Sequence, residues 1–271
     1  MRVTKNWHCD FRCLSPLSHG GDESAGNTSL FRRLPLADGS EVPAISGNSL
    51  RGRLRRIAAK RLLELLGVEA LTDQRIFHLL FSGGAIQKGE VASAHRVADI
   101  REMRELLPSV SLFGASWRTE ILPGTLAVEW ILPDCAEIHA LRGQEGAPSP
   151  PARQLTTMVM YTRHDDSEAG GDDKVQMLYE TEALVPGTTL TVGLGVRRAT
   201  TLEVGALQDA WSEWWKHPRL GGMNSRGHGA LMAMSDDPIG VEHVKEYHDH
   251  VQGREESIRE FLSAVGSPGL V

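Results

Sequence analysis

Residues 43–61 read Pro-Ala-Ile-Ser-Gly-Asn-Ser-Leu-Arg-Gly-Arg-Leu-Arg-Arg-Ile-Ala-Ala-Lys-Arg, and no other stretch constrains the fold as much. Ser46, Gly47, Asn48 and Ser49 are small residues of the kind that cap a helix and satisfy its first free N–H groups. Behind them Leu50, Leu54, Ile57, Ala58, Leu62 and Leu65 recur at helical spacing, and Gly67 stands where the helix would stop. At about 100° per residue, Arg53, Arg56 and Lys60 share a face away from that apolar stripe, while Arg51 and Arg55 flank its other border. Six basic residues and no acidic one lie between 51 and 61. A capped helix start carries the positive end of the dipole, so a cluster of arginines there makes an anion site. A solvated basic face is the alternative reading. The run of small residues, with Gly52 inside the first turn, favours a polyanion passing the helix start.

The remaining composition bears on partners. With 41% hydrophobic and 24% charged residues, the 271-residue chain can bury a core as one large domain or two small ones. No apolar run is long enough to span a membrane, and the N-terminus lacks a signal-peptide pattern, so a cytoplasmic protein with no membrane partner is expected. The net charge of −6 argues against nucleic acid only until its distribution is considered. Acid is gathered in Asp165, Asp166, Glu168, Asp172 and Asp173 and after Asp236, base in 51–61, and a binder's footprint is local. Cys9, Cys13 and Cys135 are too few for a disulfide framework, and no second pair stands at zinc-like spacing. His243, His248 and His250 make a weak metal suggestion, with exposed helix histidines as the plainer account. No metal or other cofactor is expected.

Along the chain, odd positions from Val3 to Cys13 are mostly apolar and even ones polar, the period of a half-buried strand that places both cysteines inward. Residues 15–40 read as a long loop. Helical patterns at 73–80, ending at Gly83-Gly84, and at 93–107, ending at Pro108, suggest an inserted helical lobe. Strand patterns follow at 125–132, 154–163, 174–184 and 188–196, with an acidic, Gly-rich hairpin tip at 164–173. Val204, Leu207, Trp211 and Trp214 share one face of a helix at 203–216, a core stripe rather than a base-stacking surface. A strand at 230–234 and a peripheral helix within 241–262 close the chain. Without insertions the order is strand, helix, strand, strand, helix, strand, which predicts an α+β, ferredoxin-like arrangement with one free sheet face.

Gly221, Gly222, Met223, Asn224, Ser225, Arg226, Gly227, His228 and Gly229 set four glycines around one arginine. Glycine lets backbone N–H groups approach phosphates, and Arg226 adds a charged fork for the same oxygens. The spacing fits neither a Walker loop nor a dinucleotide fingerprint. A plain turn into the last strand is the alternative.

Together these residues resemble the RAMP superfamily of CRISPR-associated proteins, in particular its Cas-seven-type backbone subunits. Ile-Ser-Gly-Asn-Ser-Leu-Arg-Gly-Arg-Leu-Arg looks like that superfamily's Pro-Gly-Ser-Ser-Leu-Lys/Arg-Gly signature. Leu14-Ser15-Pro16-Leu17-Ser18-His19-Gly20-Gly21, Leu112-Phe113-Gly114, Tyr179 to Thr188 and Ser225-Arg226-Gly227-His228-Gly229 follow in similar order, across roughly residues 1–235. The resemblance implies a single domain over 1–271: an RRM-like palm, a helical fingers insertion at 73–108, a β-hairpin thumb at 137–176 and a tail at 236–271. It implies that copies of the chain line up along a CRISPR guide RNA in a helical filament, beside other effector subunits, and present the guide to a complementary target. The expected RNA contacts are Ser46, Gly47, Asn48, Ser49, Arg51, Gly52, Arg53 and Arg55 with Gly221, Gly222, Asn224, Ser225, Arg226, Gly227 and His228, chiefly to phosphates.

In type III members of the family, an aspartate after the first strand cleaves target RNA. The matching stretch here holds Asn27 and Thr28, with Asp22 several residues early. No intrinsic cleavage is therefore expected, and the departure favours a type IV-like over a type III-like subunit. The competing class is a guide-processing endoribonuclease of the same superfamily, with His19 as general acid or base. A small-molecule enzyme using the anion site lacks a recognisable catalytic set.

Overall fold

The computed structural model describes residues 2–25, 28–84, 97–117, 120–144, 148–163 and 177–265. Strand β1 (Arg2–Cys13) is followed by the short strands β2 (Leu17–Ser18), β3 (Gly20–Ala25), β4 (Thr28–Phe31), β5 (Arg33–Pro35) and β6 (Glu41–Pro43). Helix α1 (Gly47–Leu65) leads to α2 (Gln74–Phe77), a π-helical turn (His78–Ser82), α3 (Val97–Leu106) and α4 (Pro108–Phe113). Strands β7 (Ala115–Trp117), β8 (Glu120–Leu122), β9 (Leu126–Val128) and β10 (Leu132–Pro133) precede α5 (Ala136–Leu141). The hairpin β11 (Thr156–Arg163) and β12 (Met177–Leu184), the long β13 (Thr189–Thr200), α6 (Thr201–Lys216), β14 (Leu231–Ala233), α7 (Val244–Gly253) and α8 (Glu255–Val265) complete the chain. The molecule is α+β.

The main sheet runs β10–β13–β1–β14, with β9 also paired to β13, and every pairing is antiparallel. The period of two in β1 does what it predicts: Trp7, Cys9, Phe11 and Cys13 are buried, while Asn6, His8, Asp10 and Arg12 are exposed. Burial pushes the Cys9 and Cys13 thiols up to about 12, so both behave as small core side chains. Helices α1 and α6 cover the apolar face. Phe11 packs edge-on against Trp214 and Trp215 at 5.3 and 5.2 Å, so the tryptophans of α6 are core residues. A capping box joins Thr200 and Glu203 at the start of α6, and the Ser111 hydroxyl donates to Glu203 at 2.6 Å, tying α4 to the same helix end.

Not every sequence expectation holds. Residues 15–40 are not one long loop: β2, β3 and β4 join the hairpin in a second sheet, ordered β11–β12–β4–β3 with β2 beside β12. Glu182 of β12 accepts the Phe31 amide at 2.9 Å and pairs with Arg33, supplying partners from about 150 residues away that local composition does not reveal. The hairpin strands expected at 154–163 and 174–184 are β11 and β12, and they grow from this second sheet. Its acidic tip, 164–173, lies outside the described residues, as do 93–96 of the lobe and 266–271. Helix α3 stops at Leu106, ahead of Pro108 as expected, and Pro108 starts α4, where its missing N–H costs nothing. Finally, the tail is not peripheral: Tyr247, Val251, Ile258 and Leu262 are buried. Asp209 of α6 accepts from Arg61 of α1 at 3.2 Å and faces His248 of α7 at 3.1 Å.

Candidate nucleic-acid interface

The N-terminus of α1 is built as its sequence predicts. Ser46 is the N-cap, and its hydroxyl accepts the Asn48 amide at 3.3 Å. The Ser46 amide itself donates to His19 Nε2 at 3.3 Å, a bond that needs the ring nitrogen unprotonated. Burial, then the charge of Arg32, lowers the His19 pKa in keeping with that bond. Gly47 faces inward: a Cβ there would overlap the carbonyl oxygen of Val128 and stand 2.6 Å from that of Glu129. Gly47 therefore seats the helix on the strand and is not an accessible RNA contact. Asn48 is exposed, and Ser46, Ser49 and Gly52 are partly so.

The arginines of α1 divide between its two borders. Arg51 donates to the Phe113 carbonyl at 2.6 Å, and Arg55 donates to Phe113 and Gly114 carbonyls at 2.7 and 2.9 Å. The Arg55 guanidinium also lies over the Phe113 ring, 5.5 Å from its centroid. These two side chains close the C-terminal end of α4, whose last carbonyls have no partner within the helix. Burial, then Arg51, brings the Arg55 pKa down to about 10, so it remains charged at neutral pH. The structure places the guanidinium groups of Arg51 and Arg55, both expected RNA contacts, on backbone carbonyls at the end of α4.

Arg53 takes the opposite direction. Its guanidinium donates to the Gly221 carbonyl at 3.4 Å, bringing the basic helix and the Gly-rich loop together. Burial pushes the Arg53 pKa down, and the neighbouring charges of Arg56 and Arg219 push it further. Three like charges thus crowd one place, with no acidic partner for Arg53 or Arg56 among the described residues. An anion arriving there relieves repulsion already present.

The loop differs from the open nest its glycines suggest. Met223 and Gly227 adopt left-handed conformations on either side of a 3-10 turn over Asn224–Arg226. The amides of Arg226, Gly227 and His228 donate within the loop, Gly222 donates to Ser18, and Gly229 donates to Pro16. Those N–H groups are therefore unavailable to phosphate. Gly229 sits at φ +78°, and a Cβ there would overlap the Leu220 carbonyl, so this glycine serves the turn. His228 is buried, hydrogen-bonded through Nε2 to the Tyr161 hydroxyl, and its expected RNA contact is corrected too. What the loop presents is side chain: exposed Ser225 and Arg226 and half-buried Asn224, beside the exposed Gly222 and Gly227, whose amides are already bonded. The Arg226 guanidinium lies 5.3 Å from the Tyr161 ring centroid, which holds the loop against the hairpin.

Neither Tyr161 nor Arg219 stands out in the sequence. Arg219 donates to the His228 carbonyl at 3.2 Å, and its position beside Arg53 follows only from tertiary folding. Arg56 and Lys60 are legible as the outward face of α1. Thr28 carries no carboxylate but donates to Glu180 of the adjacent strand at 3.3 Å, whereas the side chains of Asp22 and Asn27 lie outside the described residues. His243, His248 and His250 point separately at Glu246, Asp209 and the Glu105 carbonyl.

Half-buried His19 and buried His228 make stability depend on pH. Burial, then Arg226, lowers the His228 pKa, as burial and Arg32 lower that of His19. The unfolded chain therefore takes up these protons first, at about pH 6.5, and stability falls as pH drops from there toward the folded-state values. Denaturant unfolding followed from about pH 7.5 to about pH 5 should show this loss, and His228→Gln should flatten it. Unchanged stability across that window would contradict the assignment.

No helix among the described residues is long and apolar enough to cross a membrane. No protein-family model matches the chain, and no curated protein matches it significantly. Among solved structures, it is similar to a chain of a type IV-B CRISPR complex, with a TM-score of 0.63 and 26% identity over 89% of this chain and 98% of that one.

Proposed function

We propose that this chain is a subunit of a type IV-like CRISPR effector complex, and that its role there is the non-catalytic backbone that holds guide RNA by its phosphates. The observation that carries this reading is the contact of Arg53 with Gly221, which joins the outward basic face of α1 to the exposed Ser225–Arg226 edge of the loop. Two segments 168 residues apart make one cationic surface, which supports a phosphate-directed, sequence-independent RNA contact. The similarity to a chain of a type IV-B complex supports membership of an effector assembly. The strand order, with β1 between β13 and β14 and two helices on one face, supports a ferredoxin-like palm of the RAMP kind.

In this reading Arg53, Arg226, Asn48, Ser49, Asn224 and Ser225 contact the guide, with the Gly52 backbone beside them. Further copies of the chain, other effector subunits and a complementary target are the partners. The protein cuts no RNA. His19, the candidate general acid or base of an endoribonuclease, already accepts the Ser46 amide.

The test is to purify the chain with a guide RNA and look for RNA-containing filaments by electron microscopy. Arg53→Ala with Arg226→Ala should weaken binding to unrelated RNA sequences alike and reduce the salt dependence, by roughly 0.7 in log–log slope for each phosphate no longer neutralised. A loss confined to one sequence, or cleavage of complementary RNA by the assembled protein, would overturn it.

A further inference from the structure

We infer that the anion surface continues beyond the loop as a bounded track for a single nucleic-acid strand, in the groove between α1 and the C-terminal end of α6. This rests on the RNA-binding reading above and extends it to residues outside the helix start and loop. The groove has a volume of about 520 Å³; Arg53, Arg56, Lys60 and Trp214 line it, together with the ion-paired Arg61, Glu64 and Glu213. Its size suits a nucleotide-scale ligand.

Arg53, Arg56 and Lys60 stand three and four residues apart, so they form a row one helical turn per step. The row is about 10 Å long at about 1.5 Å per residue. That length holds roughly three phosphates of a stacked strand, which repeat at about 3.4 Å per strand along a duplex axis. Arg56 and Lys60 are exposed, and among the described residues none of the three has an acidic partner. The groove begins where Arg53 meets Gly221, so a strand held by Arg226 enters it without a break in positive charge.

The track ends where the cations are taken up in ion pairs. Arg61 is committed to Asp209 and Glu64, and Lys216 to Glu213. The Lys216 ammonium, aided by Arg61 and His217, holds the Glu213 carboxyl below its ordinary range, so it is ionised at neutral pH. Glu64 and Glu213 therefore occupy Arg61 and Lys216, and a polyanion that has passed Lys60 meets no free cation there. A row of free cations ending at two carboxylates suits a short, regular string of phosphates. A protein partner with a broad acidic surface would have to cover Glu64 and Glu213 as well.

The test measures binding of fluorescein-labelled oligouridine by the full-length protein across a salt series. Arg56→Ala with Lys60→Ala should lower the log–log salt slope by roughly 1.4 and weaken binding on the order of tenfold or more at about 0.1 M salt, at roughly 0.7 per phosphate. Glu213→Gln should act oppositely: it frees Lys216, steepens the slope by roughly 0.7 and tightens binding. All three positions are exposed, and thermal melting should match the wild type, which separates a binding effect from a folding one. Wild-type binding with unchanged affinity and slope in the double variant overturns the track and leaves the broader reading standing. The track is equally overturned if the double variant instead loses another effector protein, which would assign the face to a protein partner. No wild-type binding overturns both.

Discussion

Gly47→Ala should be among the most damaging single substitutions in the chain, whereas Gly52→Ala, five residues on, should stabilise it. The added methyl at 47 meets the carbonyls of Val128 and Glu129, both backbone atoms that move only if α1 lifts from the sheet. A cost of about 3 kcal/mol is expected, at the upper end of overpacking penalties. For a chain of this length, that lowers the melting temperature by about 5 °C. At 52 no atom lies within 4 Å of the added methyl, and the gain is the helix-propensity difference between alanine and glycine, about 1 kcal/mol. Thermal and denaturant unfolding of the two variants measures both. The pair also separates folding from binding: on the proposed function, Gly52→Ala should weaken RNA binding while raising stability, because the new methyl would stand on the second turn of α1, beside the proposed RNA path. A destabilised Gly52→Ala variant would contradict this account of the helix surface.

Arg55→Ala should unfold the protein more readily without altering RNA affinity in the molecules that remain folded. Its loss leaves the Phe113 and Gly114 carbonyls short of a charged donor, at a cost of about 3 kcal/mol for two such bonds in a partly buried place. Arg51 still donates to Phe113, so the end of α4 is weakened rather than abandoned. Arg55→Lys should recover little of the loss, because an ammonium cannot span two carbonyls as the planar fork does. Arg53→Ala should show the reverse profile, with small change in unfolding and a clear loss of RNA. Both quantities come from denaturant titration and fluorescence anisotropy on the same samples. If Arg55→Ala were as stable as the wild type yet failed to bind RNA, the division of labour along α1 would be wrong.

The contrast between Arg53 and Arg55 shows how far the residues alone can be read. Helical periodicity separates them correctly, since 100° per residue sends Arg53, Arg56 and Lys60 to one border of the leucine stripe and Arg51 and Arg55 to the other. It says nothing about what each border meets. The carbonyls that capture Arg51 are 62 residues distant, and the loop that meets Arg53 is 168 residues distant. The glycines at 221–229 likewise announce a tight turn. That the amides of Gly222 and Gly229 would be spent on Ser18 and Pro16 depends on two segments about 200 residues apart arriving side by side.

The sequence by itself determined the local features: the two faces of β1, the capped start of α1, the buried tryptophan stripe of α6 and the turn at 221–229. Each follows from a period or a cap whose physics is complete within one or two turns of chain. Only the tertiary structure decided which cations stay free for a polyanion, that residues 15–40 build a sheet with a distant hairpin, and that the tail docks as part of the core. Those outcomes depend on which distant carbonyls, carboxylates and strand edges come within hydrogen-bond reach, since a buried polar group takes the partner that packing supplies.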